Sequence, residues 1–148
     1  MIQDKVVVAT ILRAGLALHD GILSYFDEAD SAFISAYRKH EADGSFHIHR
    51  EYVTCPDLND ATLIICDPML ATGASFLDAI EALKPFGTWK RLIIASVIAS
   101  EQGVSNIVSE LPEADLWLGA VDPELNAKAY IVPGLGDAGD LSLSLIHI

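Results

Sequence analysis

Cys66-Asp67-Pro68-Met69-Leu70-Ala71-Thr72-Gly73-Ala74-Ser75 joins a buried-strand run to a glycine turn and then to a helix start. The preceding run, residues 61–66, is short, apolar and β-rich, which suits a strand buried on both faces of a parallel sheet. After Gly73, residues 75–84 place Phe76, Leu77, Ile80 and Leu83 on one helical face, with Pro85 and Gly87 ending the helix. The turn therefore sits at a helix N-terminus. Unsatisfied backbone N–H groups and the positive end of the helix dipole favour an anion there, and Thr72 and Ser75 add hydroxyl donors. An ordinary strand-to-helix turn with a serine cap is the plainer reading of the same residues.

The 148 residues are 51% hydrophobic and 20% charged, which predicts one domain with a real core. The longest apolar stretch, residues 92–99, is far short of the roughly 20 residues needed to span a bilayer, and no signal peptide is evident. The expectation is a soluble, cytoplasmic protein. Cys55 and Cys66 have no paired spacing, so neither a disulfide framework nor a zinc site is indicated. A net charge of −12 argues against general nucleic-acid or anionic-membrane binding but leaves room for a phosphorylated small molecule where positive charge is local. Lys and Arg number only nine, so the placement of Arg13 and Arg38 directly after strand-like runs is informative.

Working outward, strands are expected at residues 5–11, 31–37, 61–66, 91–99, 116–120 and 130–132, and helices at 16–25, 75–85 and 101–111. Between them, residues 38–52 alternate in a way that suggests a hairpin or flap. This alternation predicts an α/β fold with a mostly parallel sheet flanked by helices. Ligands of such sheets bind beyond the carboxyl ends of the strands, which would bring Arg13, Arg38, Asp67 to Ser75 and Glu101 to one edge. Two guanidiniums beside a phosphate cradle make a polyanion site, because arginine's planar fork suits bidentate phosphate contacts.

Gly134-Leu135-Gly136-Asp137-Ala138-Gly139 formally matches a dinucleotide fingerprint but leaves no room for the helix, strand and ribose-binding acid that should follow. The Thr72–Ser75 turn lacks the lysine of a Walker A loop. His47 and His49 would share a strand face with no third ligand nearby, which is a poor metal site.

Four ordered blocks, residues 11–16, 37–38, 67–75 and 130–140, resemble the signature blocks of the uracil phosphoribosyltransferases. The resemblance implies a phosphoribosyltransferase-type fold with a β-hairpin flap and a C-terminal base-binding hood. The implied reaction joins uracil to 5-phosphoribosyl 1-diphosphate (PRPP), giving UMP and diphosphate in pyrimidine salvage. Arg13, Arg38 and Asp137 are implied to serve the reacting diphosphate, Arg38 from the flap. Asp67, Pro68, Met69, Leu70, Ala71, Thr72, Gly73, Ala74 and Ser75 would bind the ribose hydroxyls and 5-phosphate. Ile131, Gly136, Asp137 and Ala138 would meet uracil. Mg2+ would be held mainly by diphosphate and water, without a protein cage, and the partners implied are these substrates and a second copy in a homodimer.

One domain, residues 1–140, carries the resemblance. The family has a further N-terminal segment ahead of the first block, so the chain reads as N-terminally truncated, and residues 141–148 form a tail of doubtful origin. Ala74 stands where the family usually has a second glycine, and the flap matches poorly. Two rival readings follow: a nucleotide-binding regulatory homologue without turnover, and a phosphoribosyltransferase for another base.

Overall fold

The computed structural model describes residues 4–40 and 46–143. The elements run β1 (Val6–Leu12), α1 (Leu16–Leu23), β2 (Asp30–His40), β3 (Phe46–Thr54), β4 (Thr62–Cys66), β5 (Met69–Leu70), α2 (Ala74–Leu83), β6 (Arg91–Ser100), α3 (Glu101–Glu110), β7 (Asp115–Asp122), β8 (Glu124–Leu125), β9 (Ile131–Val132) and α4 (Ala138–Leu143). A seven-stranded sheet carries the order β3-β2-β1-β4-β6-β5, with β7 also paired to β6. Every pairing within it is parallel except the β2–β3 hairpin. The expected fold class is the observed one.

At β1 and β4 both faces of the sheet are covered, which is why these strands read as nearly continuous apolar runs. On one face Val7, Ile11, Leu63 and Ile65 pack with Phe76, Ile80 and Leu83 of α2. On the other, Val6, Val8, Ile64, Cys66 and Ile93 meet Leu18, Ile22 and Leu23 of α1. Residues of alternating parity along one strand thus serve two cores. His19 of α1 is buried, 3.1 Å from Ser31 Oγ and 5.2 Å ring to ring from Phe33, so it ties α1 to β2.

Sequence patterning places the main strands and helices to within a few residues, and the structure departs from it at several points. Strand β2 continues through His40 because β3 pairs with it antiparallel, so Arg38 lies within a strand rather than after one. The short β5 replaces β4 beside β6, pairing Met69 with Ile98 and Leu70 with Ala99. Helix α4 runs across the boundary drawn at residue 140. Residues 41–45 of the flap and 144–148 of the tail lie outside the described residues.

Candidate functional site

The parallel strands run β2-β1-β4-β6-β7, so the chain turns to opposite sides after β1 and after β4. Loops leaving neighbouring strands on opposite sides open a crevice at the carboxyl edge, the topological switch point of such sheets. The loop after β1 carries Arg13, Ala14 and Gly15, and the loop after β4 carries Asp67 and the turn that ends in α2. Strand pairing alone therefore unites segments that are far apart in the chain.

Gly73 caps α2 in the left-handed region, φ +87°, with no side-chain hydrogen bond to the cap. A residue with a Cβ is disfavoured there, so this turn requires glycine. Leu77 N–H donates to Gly73 O at 3.0 Å, closing the first turn of the helix. Ala74 N–H donates to Thr72 Oγ1 at 3.2 Å, so the Thr72 hydroxyl acts as an acceptor within the turn. Asp67 Oδ1 accepts from Met69 N–H at 3.2 Å and braces the loop entrance. Behind the turn, Thr72, Ala74, Leu77, Asn106, Ser109 and Glu110 line an open cavity of about 240 Å³.

The C-terminal segment joins the same edge. Asp122 Oδ2, at the end of β7, accepts from Gly134 N–H at 2.9 Å and anchors the loop leaving β9. A Cβ built on Gly139 would stand 3.3 Å from Asp137 Oδ1, 3.5 Å from Ala14 Cβ and 4.0 Å from Arg13 Nη2. The loop at 137–139 thus lies against the loop at 13–14. Ile131 is buried in β9, while a Cβ on Gly136, φ +84°, would meet nothing within 4 Å. The segment 134–139 follows an antiparallel strand outside the main sheet, in keeping with the rejected dinucleotide fingerprint.

Arg13, Asp67, the turn at 71–75 and Asp137 are therefore gathered at one edge. Arg38 stands on β2 three residues beyond Ser35, the register partner of Leu12, about 10 Å past the end of β1 along the strand. Its side chain lies outside the described residues, as do those of His47 and His49. Burial pushes the Cys66 thiol up to about 12 and the Cys55 thiol up to about 11, so both are neutral near pH 7 and neither is a ready nucleophile. Among the described residues no group of three or more His, Cys, Asp or Glu side chains could hold a metal ion. No described helix is long and apolar enough to cross a membrane.

Sequence reading missed Ser100, Gly103 and Asn106, which approach the turn from α3. The signal was a serine before a helix start with a glycine three residues later, which reads locally as an ordinary cap.

A family model described as uracil phosphoribosyltransferase matches residues 1–142. Among curated relatives, a uracil phosphoribosyltransferase of Porphyromonas gingivalis is 54% identical over 95% of this chain and 65% of its own length. One from Pyrobaculum arsenaticum is 44% identical over 93% of this chain and 65% of its own length. The chain thus spans 65% of the length of these curated relatives. A solved structure of a protein from Aquifex aeolicus superposes over all of this chain and 69% of its own, with a TM-score of 0.88 and 32% identity. A hypoxanthine phosphoribosyltransferase from Staphylococcus aureus, 15% identical with a TM-score of 0.60 over 83% of this chain and 65% of its own, shares the fold.

Proposed function

The chain belongs to the uracil phosphoribosyltransferase family, and we propose that it transfers the phosphoribosyl group of PRPP to uracil, releasing diphosphate and forming UMP. The observation that carries this reading is the assembly of the Arg13 loop, the Asp67–Ser75 segment and the Asp137 loop at one switch point.

Displacement at the anomeric carbon passes through an oxocarbenium-like state, so the enzyme must orient two substrates and stabilise a diphosphate leaving group; no protein nucleophile is required. The 5-phosphate sits on the backbone of residues 71–75 at the start of α2, where the first N–H groups of a helix and its dipole meet an anion, the Ala74 N–H being held by Thr72 Oγ1. Asp67 faces the ribose hydroxyls. Arg13 and, from the hairpin, Arg38 take the diphosphate, with Asp137 beside it. Ile131, Gly136 and Ala138 offer main-chain groups to the uracil edge, and the open space around Gly136 leaves room for a flat base.

Magnesium, when bound, neutralises charge building on the diphosphate. The ion would take diphosphate oxygens and waters as its main ligands, with Asp67 and Asp137 the carboxylates of the site. We place the enzyme in the cytoplasm, as a homodimer. Support for the dimer comes from the β6–β7 face, where Val97, Trp117 and Val121 are each nearly half exposed.

The test is incubation of the chain with uracil, labelled PRPP and magnesium. Labelled UMP is expected, with adenine and hypoxanthine giving none, and sedimentation should show a dimer. Binding of UMP with no synthesis would replace this reading with that of a regulatory homologue.

A further inference from the structure

The carbonyls of the cradle are held from behind. Ser100 is fully buried at the N-cap of α3, where its Oγ donates to Ala71 O and accepts from Gly103 N–H at 2.8 Å. One turn further along α3, Asn106 Nδ2 donates to Thr72 O at 2.9 Å. Gly103 lies between them, and a Cβ there would collide with Ala71 O and Leu70 Cδ2 and stand 3.0 Å from Leu70 O, so its missing side chain lets α3 close on the loop.

A trans peptide is planar, so the C=O of one residue and the N–H of the next point in opposite directions. Tying Ala71 O and Thr72 O to α3 therefore turns the N–H groups of Thr72 and Gly73 away from α3. We infer that Ser100 and Asn106 are positioning residues of the phosphate cradle, aiming two successive backbone N–H groups at the 5-phosphate before the substrate arrives. Neither side chain touches substrate. Their effect is preorganisation: without them the peptides at 71–73 rotate, and binding must then restore their direction. The inference rests on the reading of residues 71–75 as the 5-phosphate site.

The test uses the full chain carrying Asn106→Leu, which keeps the side-chain bulk and removes the donor. Kinetics with PRPP are paired with calorimetric titration of ribose 5-phosphate and, separately, of inorganic diphosphate. One neutral hydrogen bond predicts a roughly three- to tenfold rise in the KM for PRPP and the same loss of affinity for ribose 5-phosphate. The kcat and the diphosphate affinity should not change. Ser100→Thr, which keeps the hydroxyl and the cap, should bind like the parent, and Ser100→Ala should weaken ribose 5-phosphate. Unchanged ribose 5-phosphate affinity in Asn106→Leu, or an equal loss for diphosphate, overturns the inference. If the parent forms no UMP yet the ribose 5-phosphate pattern holds, the proposed reaction falls and the positioning role stands.

Discussion

A methyl group on Gly15 would overlap Thr10 Oγ1 and stand 2.7 Å from Ile11 O and 3.1 Å from Cys66 O. Gly15 is thus where the loop leaving β1 packs onto the ends of the paired strands β1 and β4, and its N–H closes the turn onto Ile11 O at 3.0 Å. Gly15→Ala must push these backbones apart in a close-packed core, at a cost of about 1–3 kcal/mol. A urea titration should show that loss, and the KM for PRPP should rise because Arg13 moves with the turn. Gly73 was legible in the sequence as the glycine of a strand-to-helix turn, whereas the role of Gly15 was not. Nothing in residues 11–16 reveals that Cys66 will lie against them.

At the scale of elements, α2 joins the core to the site. Phe76, Ala79, Ile80 and Leu83 bury one face, following the periodicity read from the sequence, and the N-terminus that this fixes carries the cradle. Ala74 lines the cavity between α2 and α3 with Leu77 and Asn106. There is therefore open space beside Ala74 on the α3 side. Ala74→Gly should leave the KM for PRPP essentially unchanged and cost stability by about 0.5–1 kcal/mol through added backbone freedom, measurable as a lower thermal midpoint. A large fall in KM would show that the methyl obstructs the phosphate. Helix α3 was expected from its pattern, but its hold on Ala71 O and Thr72 O was not, since a serine cap has the same local signature with or without a partner loop.

For the whole molecule, a net charge of −12 surrounds the site proposed to take a polyanion. Local guanidinium and N–H groups outweigh the distant carboxylates because exposed charges are screened beyond about 10 Å at 0.1 M salt. The KM for PRPP should accordingly rise with added potassium chloride at fixed magnesium, and the KM for uncharged uracil should stay flat. The order and type of the main elements, the strand-turn-helix at 61–84 and the arginine after β1 were all written in local patterns. Burial on both faces demands an unbroken apolar run, and a half-buried helix demands its own period. Strand order, the insertion of β5, the docking of α3 behind the cradle and the approach of Gly139 to Arg13 were decided only by the tertiary structure. Each depends on the joint burial of segments distant in the chain, for which no local window of sequence carries a signal.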